Sequence, residues 1–170
     1  MLAEQLRFAF VDTDMAIEEL VRKRIADIVA QHGWEYFRDL ERQAVARIAD
    51  QDRQVVASGG GTLMDEDNAR LLKSHGVVIL LVSDLAILQR RIALGSNRPS
   101  LTGRHDPHME LAEIWEARRA RYYAVADLTY DVSGESTNVT QDLQRKTTAI
   151  QSLLQQFPGF LAPLEAPDNA

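Results

Sequence analysis

Short apolar runs alternate with longer amphipathic segments along this chain. The runs predict strands at 8–11, 54–57, 77–82 and 128–132. The segments between them carry apolar residues three or four positions apart, the spacing that gives a helix one apolar side. They predict helices at 1–7, 14–19, 25–29, 34–50, 65–74, 85–94, 111–126 and 139–156. Strands that alternate with helices indicate an α/β fold, in which helices cover both sides of a largely parallel sheet in three layers.

Glycine and proline mark where these elements end. Gly33 separates two of the predicted helices. The run at 77–82, VVILLV, is continuously apolar, which is typical of a strand buried on both faces. Residues 96–108 are polar and contain two prolines, so they predict a loop. We expect one domain over 1–156, followed by a proline-containing tail at 157–170.

The composition excludes several classes of function. The chain has 170 residues, of which 45% are hydrophobic, so it can fill one ordinary core. Its net charge of −6 argues against a nucleic-acid binder, and the absence of cysteine excludes disulfides and thiolate metal sites. No run reaches the ~18 apolar residues of a membrane span, and the first residues do not form a secretory signal. We expect a cytoplasmic monomer that binds small molecules rather than nucleic acid or a membrane.

Two aspartates, Asp12 and Asp14, lie at the end of the first predicted strand. Ligands of such sheets bind beyond the carboxyl ends of the strands, and paired carboxylates there can divide magnesium binding and activation of a hydroxyl in phosphoryl transfer. The same segment also suits the start of a helix, where Asp12, Thr13 or Asp14 would accept hydrogen bonds from free N–H groups. The residues alone leave both interpretations open.

Charged residues cluster on two of the predicted helices. Arg38 and Glu41 are three positions apart and can pair. The spacing alone favours an ordinary exposed ion pair, worth ~0.3–0.5 kcal/mol. Arg118, Arg119 and Arg121 crowd a later helix, where the simplest interpretation is a solvated basic face.

Gly59, Gly60 and Gly61 directly follow the second predicted strand. Three glycines cost backbone entropy, which indicates either a tight turn or close approach of the backbone to a ligand. The stretch is not a phosphate-binding Walker A loop, because Thr62 and not lysine follows it. His105 and His108 lie close together, but no third metal ligand accompanies them, so a metal site is not expected there.

Five segments of the chain form one recognisable set. They are Val11-Asp12-Thr13-Asp14, Phe37-Arg38-Asp39-Leu40-Glu41, Ser58-Gly59-Gly60-Gly61, Asn97-Arg98-Pro99, and Arg118 ahead of Arg121-Tyr122 and Ala126-Asp127. Together they resemble the shikimate kinases, small P-loop kinases that phosphorylate shikimate with MgATP. The resemblance spans residues 2–131. Three positions depart from the usual pattern of the family: Val29, Ser100 and Ala120.

The resemblance implies a role for each substrate-side residue. Asp12 would lie by the magnesium ion, and Asp14 would bind shikimate hydroxyls and act as the catalytic base. Arg38 and Arg118 would clamp the shikimate carboxylate, which suits the two parallel N–H groups of an arginine. Residues 59–61 would contribute backbone N–H groups to the same site.

Three further assignments follow from the resemblance. Glu41 would orient Arg38. Arg98, in the predicted loop, would reach the transferred phosphates and serve as a second catalytic residue. Arg91 would contact the nucleotide, although a solvated helix face explains Arg91 equally well.

The implied reaction transfers the γ-phosphate of ATP to the 3-hydroxyl of shikimate, a step toward chorismate and the aromatic amino acids. However, the sequence contains no G-x-x-x-x-G-K-[ST] segment. In the family, this loop follows the central strand of a five-stranded sheet ordered 2-3-1-4-5. We therefore expect the four strands to form two separate pairs, and the chain to be less stable than a complete kinase and impaired in turnover. We also expect roughly 20 further residues upstream, the usual size of a strand-loop-helix opening.

Two other functions fit the same residues. The chain could be a non-catalytic homologue that binds shikimate or regulates another protein. Alternatively, it could be a kinase of another small hydroxy acid, such as gluconate.

Overall fold

The computed structural model describes residues 1–93, 107–134, 138–157 and 160. Within these ranges the helices are α1 (Leu2–Leu6), α2 (Thr13–Val21), α3 (Ile25–Ala49), α4 (Glu66–His75), α5 (Leu85–Ala93), α6 (Pro107–Val125) and α7 (Val139–Leu154). The strands are β1 (Ala9–Asp12), β2 (Gln54–Ala57), β3 (Ile79–Val82) and β4 (Leu128–Asp131), and a short 3₁₀ helix covers Thr62–Met64. The predicted order of strands and helices is confirmed.

The four strands form two parallel pairs. In one pair β1 lies beside β2, with Phe10 opposite Val55. In the other pair β3 lies beside β4, with Leu80 opposite Thr129. Among the described residues, no strand pairing joins one pair to the other. The expected division into two separate pairs is therefore confirmed.

Helices α1 and α7 hold the two pairs in one layer. Leu6, Ile150 and Leu154 are buried between these helices and the strands. Residues before or within all four strands pack against this cluster, namely Phe8, Val55, Val77, Ile79, Leu128 and Tyr130. Because both pairs pack against this one cluster, they lie on the same side of α1 and α7.

The expectation that the third strand is buried on both faces is wrong. Leu81 of β3 is 55% exposed, and Phe10 of β1 is 63% exposed. Side chains two positions apart in a strand point to the same face, so Leu81 lies on the face that Ile79 uses to contact the α1–α7 cluster. Among the described residues, that cluster covers Ile79 but does not extend to Leu81.

A second core lies between α2 and α3. Its buried side chains are Ile17, Ile28, Phe37, Leu40 and Ala44. Helix α3 consists of two helical arms that meet at a kink at Gly33, which has φ 81° and ψ 174°. The predicted separation of two helices at this glycine is confirmed, and the break turns the second arm of α3 so that both arms contribute to one core.

Two predicted boundaries need comment. Helix α6 begins at Pro107, earlier than the predicted start at residue 111, because proline is favoured in the first turn of a helix, where its missing N–H is not needed. Most of the predicted loop at 96–108 and of the predicted tail at 157–170, including His105, lies outside the described residues. No helix in the described part of the chain is long and apolar enough to cross a membrane.

Candidate active site

Asp12 ends β1 and caps α2. Its Oδ1 atom accepts hydrogen bonds from the backbone N–H groups of Asp14, at 2.9 Å, and Met15, at 3.1 Å. The capping interpretation of Asp12 is thus correct. Both hydrogen bonds fall on one carboxylate oxygen, so capping and metal ligation do not compete for the same atom.

Thr13 joins the start of α2 to the turn formed by residues 59–61, which we call the glycine turn. The Thr13 side chain is fully buried. Its Oγ1 accepts a hydrogen bond from the Gly59 N–H at 2.9 Å and donates to the Ala57 carbonyl at 3.4 Å. This contact brings Asp14 close to the turn, since a Cβ atom on Gly59 would lie 2.9 Å from Asp14 Oδ1.

Arg38 and Glu41 pair on α3, but the expectation of an ordinary exposed ion pair is wrong. Arg38 Nη1 lies 2.6 Å from Glu41 Oε2, and the Glu41 side chain is only 1% exposed. A buried carboxylate is costly unless its oxygens are paired, and Glu41 Oε1 also accepts a hydrogen bond from Thr62 Oγ1 at 2.8 Å. The carboxylate is therefore held from two sides and fixes the position of the guanidinium.

The Arg38 guanidinium lies against the glycine turn. A Cβ atom on Gly61 would come within 2.5 Å of its Nη1 and Nη2 atoms. On the other side, the guanidinium carbon lies 5.7 Å from the centre of the Trp34 ring and 5.2 Å from that of Phe37. Aromatic rings at these distances attract a cation, so they add to the positioning of Arg38.

Helix α6 brings Arg118 to the same turn. The Gly60 carbonyl accepts hydrogen bonds from Arg118 Nη1, at 3.2 Å, and from the Tyr122 hydroxyl, at 2.5 Å. The solvated basic face predicted for this helix is correct for Arg119, which pairs with Glu116 and is 56% exposed.

The same prediction is wrong for Arg121. Its Nε donates to the Leu63 carbonyl at 3.3 Å in a partly buried position. Arg121 therefore binds the backbone that follows the glycine turn, because α6 packs against the 3₁₀ helix.

Each glycine of the glycine turn is contacted by a different residue that the motifs predicted. Asp14 lies at the first glycine, Arg118 at the second and Arg38 at the third. Sequence reasoning missed Thr13 and Thr62 as parts of this arrangement. Their positions in the sequence could have indicated this role. Thr13 lies between two aspartates, and Thr62 directly follows three glycines.

Asp65 adds a charged contact just beyond the turn. Its Oδ1 accepts hydrogen bonds from the Asp67 and Asn68 N–H groups and so caps α4, while Oδ2 accepts one from Arg42 Nη1 at 3.0 Å. The Asn68 N–H, followed by the hydrogen bond to Arg42, lowers the pKa of the Asp65 carboxyl despite partial burial. Arg42 belongs to α3 and Asp65 caps α4, so the ion pair between them links the two helices.

The remaining site predictions are not placed by the structure. Arg98 lies outside the described residues, and for Arg91 only the helical backbone of α5 is described. Among the described residues, no group of three His, Cys, Asp or Glu side chains could hold a metal ion. Asp12 alone still fits Mg²⁺, which is commonly held by one or two carboxylates together with substrate phosphates.

Comparison with known proteins identifies the family. A family model described as shikimate kinase matches residues 1–150. The chain belongs to the shikimate kinase family. The shikimate kinase of Caldanaerobacter subterraneus subsp. tengcongensis is 36% identical, over 79% of this chain and 78% of its own length. That of Frankia casuarinae is 39% identical, over 99% of this chain and 72% of its own.

Solved structures of shikimate kinases have the same fold. The enzyme from Acinetobacter baumannii in complex with shikimate gives a TM-score of 0.78 at 27% identity, over 91% of this chain and 83% of that one. The enzyme from Bacteroides thetaiotaomicron gives 0.79 at 25% identity, over 91% and 88%. The resemblance drawn from the five segments is thus confirmed, as are the α/β P-loop kinase fold and the assignment to the phosphotransferases. ATP is the phosphoryl donor of the shikimate kinase family.

Proposed function

We propose that this chain binds shikimate at the glycine turn and that the turn positions the 3-hydroxyl for transfer of the γ-phosphate of ATP. The main support is the convergence of Asp14, Arg38 and Arg118, each on a different glycine of the turn. These residues come from three helices far apart in sequence. If these side chains only carried solvated charges, they would have no reason to meet at one turn.

The carboxylate of shikimate is bound by the two arginines. Arg38 uses Nη1 to bind Glu41, and a guanidinium has further N–H donors in the same plane for a second carboxylate. Arg118 donates to the neutral Gly60 carbonyl. A carboxylate is a stronger acceptor than a neutral carbonyl, so an incoming substrate takes over this donor.

The hydroxyl side of the substrate faces the start of α2. Asp14 lies in the first turn of that helix, beyond the carboxyl end of β1, where ligands of such sheets bind. Its carboxylate accepts hydrogen bonds from substrate hydroxyls and takes the proton of the attacking one. The N–H groups of the glycine turn complete the polar surface around the ligand.

The phosphate side involves residues that the structure does not describe in full. Asp12 is the residue that would hold a Mg²⁺ ion, directly or through water, and the ion would supply charge neutralisation for the phosphates. Arg98 would contact the transferred phosphate, and Arg91 the nucleotide. We further propose that the chain acts as a monomer.

The test of substrate binding compares two neighbouring arginines on α6. Arg118→Met removes the proposed clamp, whereas Arg119→Met removes an exposed arginine of the same helix. Isothermal titration with shikimate should show affinity lower by about tenfold or more for Arg118→Met, the effect of losing a charge-assisted hydrogen bond. Arg119→Met should bind like the parent chain. Equal affinities for both variants would contradict the proposed site.

A second candidate function is shikimate binding without turnover. It is favoured by one observation: within the described part of the chain, the residues that meet at the glycine turn are those assigned to shikimate and not to the nucleotide. A coupled assay of ADP release with MgATP and shikimate separates the two functions. Shikimate-dependent ADP release supports the kinase, whereas binding without release supports the second candidate. Tighter binding of gluconate than of shikimate would instead indicate a kinase of another hydroxy acid.

A further inference from the structure

Thr62 lies directly after the glycine turn, and each of its polar groups is hydrogen-bonded. Its N–H donates to the Gly59 carbonyl at 3.0 Å, and its carbonyl accepts from Asn68 Nδ2 at 3.3 Å. Its Oγ1 donates to Glu41 Oε1 at 2.8 Å. The side chain is fully buried. Thr62 therefore has one fixed position between the turn, α4 and α3.

Glu41 depends on this hydroxyl. The carboxylate is nearly fully buried, and its two oxygens have different partners, Thr62 on Oε1 and Arg38 on Oε2. The two partners together define the plane of the carboxylate. If the hydroxyl is removed, a buried oxygen is left without its donor, which costs the full desolvation of that oxygen unless the side chain rotates. Rotation would move Oε2, and with it the Arg38 guanidinium.

We propose that Thr62 is a positioning residue for recognition of the substrate carboxylate. It does not touch the substrate. It holds Glu41, which holds Arg38 against the third glycine of the turn, so that the remaining N–H groups of Arg38 point to the ligand. This inference rests on the proposed function, because it is Arg38 that it assigns to the shikimate carboxylate.

A residue that only filled space would behave differently. Valine has nearly the shape of threonine and keeps the backbone hydrogen bonds of position 62, so a space-filling role would survive Thr62→Val. Serine keeps the hydroxyl and loses a methyl group, so a positioning role would survive Thr62→Ser. The two substitutions therefore separate the alternatives. Thr148→Val, at an exposed hydroxyl on α7, controls for the substitution itself.

The binding experiment uses the full chain and two ligands, shikimate and its carboxamide, which lacks the negative charge. For Thr62→Val we expect shikimate affinity lower by about tenfold, as for loss of a buried hydrogen bond to a charged group. Its affinity for the carboxamide should stay close to that of the parent chain. Thr62→Ser and Thr148→Val should bind both ligands like the parent. The inference is overturned if Thr62→Val binds shikimate normally, if Thr62→Ser loses as much, or if the carboxamide is affected equally.

A second measurement, without ligand, separates failure of this inference from failure of the proposed function. The Arg38 Nε–H signal in a ¹⁵N NMR spectrum, assigned by its loss in Arg38→Lys, reports the guanidinium directly. It should shift or broaden in Thr62→Val and stay unchanged in Thr62→Ser. If the parent chain does not bind shikimate, the proposed function is wrong, and the NMR comparison then decides on its own whether Thr62 positions Arg38. An unchanged Arg38 signal in Thr62→Val overturns that link.

Discussion

At the scale of single residues, neighbouring side chains leave no room for a Cβ atom at two positions of the glycine turn, Gly59 and Gly61. The Arg38 guanidinium occupies the space where a side chain at Gly61 would begin. Gly61 itself has φ −97° and ψ −21°, a conformation open to any residue. The glycine is thus needed for the approach of Arg38 and not for the backbone.

Gly61→Ala should therefore weaken shikimate binding, and any loss of stability should come from the displaced Arg38–Glu41 pair and not from backbone strain. The new Cβ would lie 2.5 Å from the Nη1 and Nη2 atoms of Arg38, which is too close for both to stay in place. It would therefore push the guanidinium away from its position on Glu41. We expect affinity lower by about tenfold, the equivalent of one charge-assisted hydrogen bond, in a titration with shikimate.

Gly60→Ala is the matched control for this substitution. A Cβ there would meet the Tyr122 hydroxyl at 3.4 Å, which needs only a small adjustment. Binding by Gly60→Ala should stay within a few fold of the parent. A thermal melt of both variants checks folding, and normal binding by Gly61→Ala would show that Arg38 tolerates displacement.

At the scale of elements, the break in α3 decides where the arginine clamp points. Gly33 combines positive φ with extended ψ, a region that is essentially restricted to glycine. The two arms of α3 then fold onto α2 and share one core. The second arm carries Arg38, so the angle at Gly33 determines where the Arg38 side chain lies.

Gly33→Ala should be destabilising although nothing crowds the position. A Cβ there meets no atom within 4 Å, so the cost is conformational and amounts to about 1–3 kcal/mol in the free energy of unfolding. Chemical denaturation followed by circular dichroism measures it. Gly76→Ala serves as the control, since Gly76 has φ −167° and ψ −177°, which alanine adopts freely. Equal stability of Gly33→Ala and the parent would mean that the break can relax to regular helix.

Asp65 should make the link between α3 and α4 sensitive to acid. Its pKa is lowered in the folded state, first by the Asn68 N–H and then by Arg42. A carboxyl with a lowered pKa stabilises the fold above its ordinary pKa of about 3.9 and loses this effect as the pH falls through the lowered value. Asp65→Ala should therefore cost about 0.5–2 kcal/mol at neutral pH, as for loss of a helix cap.

The pH dependence distinguishes this charge effect from lost packing. The difference in unfolding free energy between the parent and Asp65→Ala should narrow as the pH falls below about 4. Asp67→Ala, at a residue that is 75% exposed on the same helix, should show a smaller difference at every pH. A difference for Asp65→Ala that stays constant down to pH 3 would contradict the role of the charge.

Sequence reasoning was most successful where local pattern decides structure. The strand predicted at 54–57 matches β2, and the position of Gly33 between two helical patterns predicts the interruption of α3. It failed where distant contacts decide. The spacing of Arg38 and Glu41 gives no sign that Glu41 is buried, because its second hydrogen-bond partner is Thr62, twenty-one positions later. The exposure of Leu81 likewise depends on how far α1 and α7 reach.

At the scale of the whole molecule, α1 and α7 connect the two strand pairs through one hydrophobic cluster. Within the described residues they share no strand pairing, and the α1–α7 cluster is where their side chains meet. Hydrophobic contacts in this cluster therefore link the half of the sheet that carries Asp12 to the half that carries β3 and β4, in addition to the hydrogen bonds of α6 to the glycine turn.

Leu154→Ala should accordingly destabilise the whole chain. Leu154 is 3% exposed within this cluster, and a buried leucine shortened to alanine costs about 2–5 kcal/mol. Leu143→Ala, on the same helix at a residue that is 47% exposed, should cost far less. Urea denaturation of the two variants provides the comparison, and similar midpoints would show that the cluster contributes little to stability.

The shared core of α2 and α3 also constrains how the site can move. A break such as the one at Gly33 could serve as a hinge, but Ile28 on one arm and Phe37 on the other are both buried in the same cluster. Bending one arm alone would expose that cluster to water, at a cost that grows with the apolar area uncovered. We therefore expect the two arms and α2 to move together. Thr13 and Thr62 hydrogen-bond the glycine turn to the same two helices. A ligand that draws on Arg38 should therefore shift the turn, α2 and both arms of α3 together, and should not straighten α3 locally.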